Sequence, residues 1–276
     1  MKKLFYTLAA CLLIFLSGCS ILGHSKSFSF IQMADTQFGF FNANKEFSRE
    51  TENFENAVIA ANRLKPAFVI VCGDLVNKPG DIAQINEYKR ISAKLDPSIK
   101  LYNVSGNHDV ENVPSKGSLA SYRQHFGKDH YTFRSGKLFG IVLNSSLMKD
   151  ASQAPDEAAA QDQWLASALE EAKHSGSNNI MVFMHHSLFL SDPEEPDQYF
   201  NISRERRKIY LDLFNKYQVS HVFAGHYHRN AWPHLTKPLS PTLIVRQNGF
   251  QNAPEFHRVI VCLEVAELVH DDVFQN

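Results

Sequence analysis

The sequence predicts an α/β fold in which two packed β-sheets carry helices on their outer faces. Continuous apolar runs, typical of strands buried on both faces, recur along the chain. Segments with apolar residues at helical spacing separate the first three runs, an order typical of a parallel sheet with right-handed crossovers. A hairpin pattern around Gly136 then begins a second, more antiparallel sheet.

The composition fits one large domain with a substantial core. The chain has 276 residues, of which 44% are hydrophobic and 21% charged, and its formal net charge is -1. This balance is ordinary for a globular protein and shows no strongly basic surface for nucleic acid. Thirteen histidines are many for this length, and several follow strand-like runs. No repeat or linker divides residues 28–276, which are predicted to form one domain.

The first residues resemble the signal peptide of a bacterial lipoprotein. Lys2 and Lys3 precede the apolar run Leu4–Leu16, which is shorter than the roughly 20 residues of a membrane-spanning helix. The run ends in Leu16–Cys19, which resembles a lipobox. We therefore expect a signal peptide over residues 1–18, lipid on Cys19, a short linker to residue 27, and a membrane-anchored protein on the periplasmic or extracellular face. The alternative is an ordinary signal peptide followed by a chance cysteine.

Strands and helices alternate in the first part of the domain. Apolar runs predict strands at Phe28–Ala34, Phe68–Cys72 and Leu101–Val104. Helical spacing predicts helices at Arg49–Leu64, which stops before Pro66, and at Asp81–Leu95.

The remaining elements complete a second sheet and its helices. They are a short helix at Leu119–Phe126, a hairpin of Tyr131–Phe133 and Leu138–Leu143, a long helix at Asp156–Lys173, a strand at Ile180–Met184, a helix capped by Ser203 that runs through Tyr217, and strands at Val219–Ala224, Leu243–Arg246 and Arg258–Val265. Cys72 and Cys262 both lie in apolar strands, which leaves a disulfide and two buried thiols as alternatives.

Polar residues follow five of the predicted strands. In chain order they are Asp35 and Gln37, then Gly73 and Asp74, then Gly106 to Asp109, then His185 and His186, and finally Gly225 to His228. Each group alone is as easily a polar turn or a helix cap. Because ligands bind at the carboxyl ends of strands in α/β sheets, five such groups together predict a shared site. Its oxygen and imidazole donors suit two ions of Mn, Fe, Zn or Mg that share a carboxylate.

These motifs resemble the calcineurin-like metallophosphoesterase superfamily, whose pattern is Asp-x-His, Gly-Asp, Gly-Asn-His-Asp or Glu, His, and Gly-His-x-His. The match spans about residues 28 to 265. The resemblance implies a four-layer α/β/β/α sandwich of two mixed sheets flanked by helices, and two divalent metal ions of unknown identity.

The resemblance also implies a role for each site residue. Asp74 bridges the two metals, Asp35, Gln37 and His228 complete one metal site, and Asn107, His185 and His226 complete the other. His108 contacts the phosphate as an electrostatic stabiliser or general acid, and Asp109 orients its ring. His186 is a further candidate for facing the pocket.

Gln37 departs from the superfamily pattern, which has His at this place. A neutral amide oxygen is a poorer Zn ligand than imidazole, so the first metal site is expected to be weaker or to favour Mg or Mn. The alternative is that Gln37 is not a ligand. The stretch Asp35–Gly39 resembles one branch of the superfamily that shares Asp-x-Gln-Phe-Gly and includes a eukaryotic serine/threonine phosphatase.

The predicted function is hydrolysis of phosphate monoesters by a hydroxide that two metals share, in a protein anchored to a membrane. Two alternatives stay open. One is a phosphodiesterase acting on cyclic nucleotides or lipid headgroups. The other is a non-catalytic, metal-dependent binding lipoprotein, which Gln37 suggests and the intact Asn107, His108 and Asp109 oppose.

The segment Leu188–Asn201 is expected either to overhang the site, with Tyr199 or Phe200 on the leaving group, or to be a solvated loop. The basic residues of the following helix are expected to form an exposed face; they are Arg204, Arg206, Arg207 and Lys208.

Overall fold

The computed structural model describes residues 28–228, 244–247 and 260–264. Over these residues the elements are β1 (Phe30–Ala34), α1 (Ser48–Leu64), β2 (Phe68–Cys72), α2 (Ile82–Ser92), β3 (Lys100–Val104), α3 (Asn107–Val110), α4 (Lys116–Phe126), β4 (Tyr131–Ser135), β5 (Leu138–Val142), α5 (Ser145–Lys149), α6 (Pro155–His174), β6 (Asn179–Phe183), α7 (Arg204–Lys216), β7 (Val219–Ala224), β8 (Ile244–Gln247) and β9 (Ile260–Glu264).

The described strands form two sheets. The first has the order β3-β2-β1-β9, and the second has the order β4-β5-β6-β7-β8. Every pairing among these strands is parallel except that of β4 with β5. Since parallel strands point the same way, the carboxyl ends of β1, β2 and β3 meet at one edge of the first sheet, and those of β6 and β7 meet at one edge of the second.

An aromatic layer fills the space between the two sheets. Phe30 and Phe68 of the first sheet stack with their ring centroids 4.7 Å apart, and Phe183 and Phe223 of the second sheet stack at 5.2 Å. The ring of Phe30 meets that of Phe223 edge-on at 5.4 Å. These edge-to-face and stacked pairs join the sheets face to face.

Alternate residues of the same strands face the outer helices, as the two-residue period of a strand requires. On the first sheet, Ile31 and Met33 pack in one buried cluster with Phe54 of α1. On the second sheet, Ile141 and Val182 share a cluster with residues of α6 and α7. The three clusters separate four layers, so the predicted α/β/β/α sandwich is confirmed.

The strand Arg258–Val265 was expected in the second sheet, and this expectation is wrong. Its described part, β9, pairs in parallel with β1 of the first sheet, with Phe30 opposite Ile260. The expectation assumed that strands next to each other in sequence pair in space, which holds for most but not all connections. Because β1 lies between β2 and β9, the backbones of Cys72 and Cys262 are at least two strand spacings apart, or more than about 9 Å, which is farther than a disulfide spans.

Helix starts depend on local hydrogen bonds that the sequence shows only partly. Asp81 caps α2 as a side-chain acceptor for the backbone N–H groups of Ala83 and Gln84. Ser203 stands at the start of α7, but its side chain makes no capping hydrogen bond. The carboxylate of Asp197 instead accepts from the backbone N–H of Arg204 at 2.6 Å. The short helices α3 and α5 were not predicted.

In the part of the chain that the structure describes, no helix has both the length and the apolar character needed to cross a bilayer. The predicted signal peptide, Cys19 and the linker lie outside the described residues.

Candidate dinuclear metal site

The candidate ligands lie where the parallel strands of both sheets end. Five of the seven have the left-handed backbone conformation, namely Asp35, Gln37, Asp74, His226 and His228. This conformation is costly for residues other than glycine, and it concentrates at functional sites where the surrounding fold enforces it. Backbone hydrogen bonds hold the turns together: the N–H of Asp35 donates to the carbonyl of Gly73, and that of Gln37 to the carbonyl of Asp74.

Asp35, Asp74 and His228 form the first group of donors. One ligand atom from each lies within 4.8 Å of the others. His228 Nε2 is 3.2 Å from Asp35 Oδ1. Gly225 allows this approach, since a Cβ there would lie 2.6 Å from the carbonyl oxygen of Cys72 and 2.9 Å from Asp35 Oδ2.

Asp74, His185 and His226 form the second group, with ligand atoms again within 4.8 Å of one another. His185 Nε2 lies 3.2 Å from Asp74 Oδ2 and 3.0 Å from Asn107 Oδ1. Asp74 therefore belongs to both groups, which is the arrangement predicted for a bridging carboxylate. Gly106 makes room for it, because a Cβ there would overlap the Asp74 carboxylate.

Burial and mutual charge set the protonation of these groups. Burial raises the pKa of Asp74, but the charge and hydrogen bond of His185 outweigh burial and hold the pKa of that carboxyl below its usual range. Burial and the charge of His185 lower the pKa of His226 to about 4. Burial lowers the pKa of His185, but the charge and hydrogen bond of Asp74 outweigh burial and raise that pKa to about 9. Because an ionised carboxylate and a neutral imidazole are the forms that bind metal, an ion at this group would displace the proton of His185.

Gln37 offers a buried oxygen without a hydrogen bond. Its side-chain Nε2 donates to Asn77 Oδ1 at 3.2 Å, whereas its Oε1 has no hydrogen-bond partner. A buried acceptor left unpaired costs free energy and calls for an explanation such as an ion. The oxygen and imidazole donors of both groups, together with this oxygen, therefore fit two divalent metal ions.

His108 lies next to Asp74. Its backbone N–H donates to Asp74 Oδ1 at 2.9 Å. The ring Nδ1 of His108 is 2.7 Å from the carbonyl oxygen of Asn77. A carbonyl only accepts, so Nδ1 carries the proton and donates it. Nε2 is then the nitrogen left for a substrate.

The prediction that Asp109 orients the ring of His108 is wrong. Its carboxylate accepts from the backbone N–H groups of Gly106, Leu75 and Val76 at 2.8 to 3.1 Å, and the carbonyl of Asn77 holds the His108 ring instead. Asp109 therefore fixes the turn that carries Asp74 to the turn that carries His108. Burial, followed by the nearby charge of Asp74, raises its pKa to about 7.

His186 is buried next to the second group, with its ring centroid 4.4 Å from that of His226. Ser145 Oγ accepts from the backbone N–H groups of His185 and His186, so its own hydrogen points to His186 Nδ1 at 3.0 Å. Burial holds the pKa of His186 well below its usual range. The side chain is thus a neutral imidazole with its proton on Nε2.

The segment 188–201 overhangs the site, which was the first of the two alternatives predicted for it. Tyr199 OH lies 3.3 Å from Asn107 Nδ2, and its carbonyl oxygen lies 3.4 Å from His226 Nε2. The ring centroids of Tyr199 and Phe200 are 4.7 and 5.5 Å from that of His226. Residues of the loop therefore touch two candidate ligands.

Arg207 anchors this loop, so its predicted place on an exposed face is wrong. Its side chain is fully buried, and its guanidinium donates to the carbonyls of Ile202, Pro193 and Glu195. The Glu195 carboxylate accepts from the backbone N–H groups of Leu190 and Ser191 within the loop. Helical spacing with the apolar residues Tyr210, Leu211 and Phe214 places position 207 on the buried face of α7, unlike the exposed Arg204 and Lys208. The sequence does not show the partners of Arg207, because they are backbone carbonyls.

Comparison with known proteins agrees with the fold and shows the family. The chain matches the Calcineurin-like phosphoesterase family over residues 28–230. The serine/threonine-protein phosphatase CPPED1 of Bos taurus is 39% identical over 219 residues, which are 74% of this chain and 70% of that one. The Mus musculus protein of the same name is 37% identical over 262 residues, 88% of this chain and 82% of its own. Among solved structures, a dimetal phosphatase from Danio rerio has a TM-score of 0.54 at 17% identity and covers 79% of this chain and 86% of that chain.

The sandwich fold and the clustered carboxylates and histidines define a metal-dependent enzyme that hydrolyses phosphoric esters. The chain belongs to the calcineurin-like phosphoesterase family.

Proposed function

We propose that this enzyme hydrolyses phosphate monoesters with two divalent metal ions, one held by Asp35, Gln37, Asp74 and His228 and the other by Asp74, Asn107, His185 and His226. The observation that carries the proposal is that two donor groups share the single carboxylate of Asp74. When bound, such a pair of ions supplies Lewis-acid activation of water and neutralises charge on the phosphate.

The side chains around these groups perform the remaining tasks. His108 presents Nε2 to the ester, since its Nδ1 is committed to the carbonyl of Asn77. When protonated, this nitrogen stabilises negative charge on a phosphate oxygen or supplies a proton to the departing alkoxide. The carboxylate of Asp109 holds the turn of Asp74 against the turn of His108, because it accepts from backbone N–H groups of both turns. The work of the chain is thus positioning and electrostatics.

The relatives named as serine/threonine phosphatases support a monoester substrate over a diester. A panel of phosphoesters tests this with the metal content of the protein measured alongside. We expect the Mn-loaded domain to hydrolyse 4-nitrophenyl phosphate much faster than bis(4-nitrophenyl) phosphate. The reverse order would support the phosphodiesterase, and no hydrolysis of any ester by a fully loaded protein would support a binding protein without turnover.

Two substitutions assign roles within the site. Asp74→Asn is expected to abolish activity and to remove both ions, since Asp74 belongs to both donor groups. His108→Ala is expected to lower kcat by about 10²- to 10⁴-fold, the usual effect of losing a general acid, with both ions retained. Two ions per chain in Asp74→Asn would contradict the shared carboxylate, and metal loss in His108→Ala would make His108 a ligand.

We propose further that the protein is an exported lipoprotein anchored through Cys19, on the strength of the lipobox-like Leu16–Cys19. Several acyl chains on one residue hold a protein firmly at a membrane. The test is the full-length chain and its Cys19→Ala variant expressed in a bacterium. We expect the first in the membrane fraction with an acylated N-terminal peptide by mass spectrometry. An unacylated, soluble wild-type protein would refute the anchor.

A further inference from the structure

Two exposed aromatic rings border the donor groups, one beside each group. Phe40 is 44% exposed, and its ring centroid lies 5.3 Å from that of His228. Tyr199 is 52% exposed, and its ring centroid lies 4.7 Å from that of His226. His228 belongs to the first donor group and His226 to the second, so each ring borders a different half of the site.

Hydrogen bonds hold the backbone of the two loops that carry these rings. The backbone N–H of Phe40 donates to the carbonyl of Gln37, and that of the next residue, Phe41, donates to the buried carboxylate of Glu50. On the other side, Arg207 and Glu195 fix the loop that carries Tyr199. Large apolar side chains that are exposed yet preorganised in this way are typical of a binding surface, because little entropy is lost when a ligand covers them.

We propose that Phe40 and Tyr199 form an aromatic subsite that binds a planar aromatic group next to the phosphate of the substrate. The proposal rests on the proposed function, since it assigns the substrate class of the same site. An ester whose phosphate lies over both donor groups directs its organic part away from the buried carboxylates and towards the exposed surface that carries the two rings. Aromatic rings gain from stacked or edge-to-face contact beyond the apolar area they bury, which favours an aromatic over a saturated ring of equal size.

The test compares two esters with leaving alcohols of similar acidity, benzyl phosphate and cyclohexylmethyl phosphate, on the Mn-loaded protein. We expect kcat/KM to favour the benzyl ester by about 3- to 10-fold, in line with the energies of aromatic pairs. Phe40→Leu and Tyr199→Leu are each expected to reduce that ratio, and the double variant to bring it close to 1. Tyr199→Phe removes only the hydroxyl and is expected to keep the ratio. Ile209→Ala, at an exposed position of α7, is the matched control that leaves it unchanged.

A binding measurement separates the subsite from the reaction if the ligands are phosphonates, which have no ester bond to hydrolyse. Calorimetry with benzylphosphonate and cyclohexylmethylphosphonate is expected to show the same preference, and the double variant is expected to lose it. Hydrolysis without an aromatic preference, or equal binding of the two phosphonates, overturns the subsite and leaves phosphomonoester hydrolysis standing. An aromatic preference in phosphonate binding by a protein that hydrolyses neither ester supports the subsite and overturns the proposed function. Absence of binding by either phosphonate overturns the subsite.

Discussion

Asn77 joins two residues of the site that come from different strands. Its side-chain Oδ1 accepts from Gln37 Nε2, and its backbone carbonyl accepts from His108 Nδ1. Its Nδ2 in turn donates to Asn44 Oδ1 at 2.8 Å. One residue therefore sets which atom of Gln37 is left for a metal and which nitrogen of His108 is left for the substrate.

This arrangement gives a prediction for the first metal site. Asn77→Leu removes the acceptor that orients the Gln37 amide, and loss of such an outer partner typically weakens metal binding by about 10- to 100-fold. We expect the weaker of two Mn sites, followed by calorimetric titration of the metal-free protein, to lose affinity by that factor while the other site is retained.

Two further variants make the comparison specific. Asn77→Asp keeps an acceptor for Gln37 and is expected to hold the first ion at least as tightly as the wild type. Asn42→Ala, in the exposed part of the loop that carries Gln37, is the control for a general loss of order in that loop. Unchanged Mn affinity in Asn77→Leu, together with unchanged affinity in Gln37→Leu, would remove Gln37 from the set of ligands.

The sequence predicted residues but not all of their contacts. Asp74, His185, His226 and His228 could be placed because they follow apolar strands whose carboxyl ends meet. The partners of Asn77 and Arg207 could not be predicted, because they are distant in sequence or are backbone carbonyls, which any residue possesses. Asp109 was identified, but its carboxylate bonds to three backbone N–H groups and not to the imidazole predicted for it.

At the scale of elements, the loop between β6 and α7 packs Leu188 and Phe189 into the core of the second sheet and is held further along by charged side chains. Arg207 gives its guanidinium hydrogens to loop carbonyls from one side. Lys149 of α5 donates to the carbonyls of Gln198 and Asn201 from the other. These side chains donate to loop carbonyls in the way that a neighbouring strand would, whereas Met184 at the start of the loop still donates its backbone N–H to the carbonyl of Phe223 in β7.

Removing the buried guanidinium tests that description. Arg207→Met keeps the length of the side chain but leaves several buried carbonyls without donors, and each such loss costs on the order of 1–3 kcal/mol. We expect urea unfolding to show a loss of about 3 kcal/mol, near the upper end for a single substitution. Arg204→Met, whose partner Glu194 is exposed, is expected to change stability by less than about 0.5 kcal/mol. Equal effects of the two variants would contradict the anchoring role of Arg207.

Glu195 makes the stability of this loop dependent on pH. Burial raises its pKa, but the hydrogen bonds from Asn201 and from the backbone of residues 190–192 outweigh burial and lower the pKa to about 2. The unfolded value is about 4.3. A depressed pKa in the folded state contributes stability above the unfolded pKa, and that contribution is lost as the pH falls from about 4.3 to about 2.

The expected result is a pH-dependent difference between the wild type and Glu195→Gln. The free energies of unfolding are expected to differ most above pH 5 and to converge as the pH falls towards 2. Chemical denaturation at a series of pH values measures both curves. Glu205→Gln, on the exposed face of α7, is expected to follow the wild type throughout. A difference between wild type and Glu195→Gln that stays constant with pH would show that the carboxylate is not the stabilising form.

At the scale of the whole molecule, the donor groups connect the two sheets. Asp35 and Asp74 come from the first sheet, whereas His185, His226 and His228 come from the second. The sheets already meet through their aromatic layer and through a hydrogen bond from Gln32 Nε2 to the carbonyl of Ala224 at 2.8 Å. Bound ions would add crosslinks at the edge where the strands of both sheets end.

The last prediction is that metal stabilises the whole fold and not only the site. Metal that binds the folded state alone contributes about 4 kcal/mol for one site at 1,000 times its Kd, and a domain of this size gains about 2–4 °C in Tm for each kcal/mol. We therefore expect saturating Mn to raise the Tm of the EDTA-treated protein by on the order of 10 °C. In Asp74→Asn this rise should vanish, because ions that lack their shared carboxylate no longer join the sheets, whereas Ile209→Ala should keep it. A rise of equal size in Asp74→Asn would show that the ions stabilise the protein from some other place.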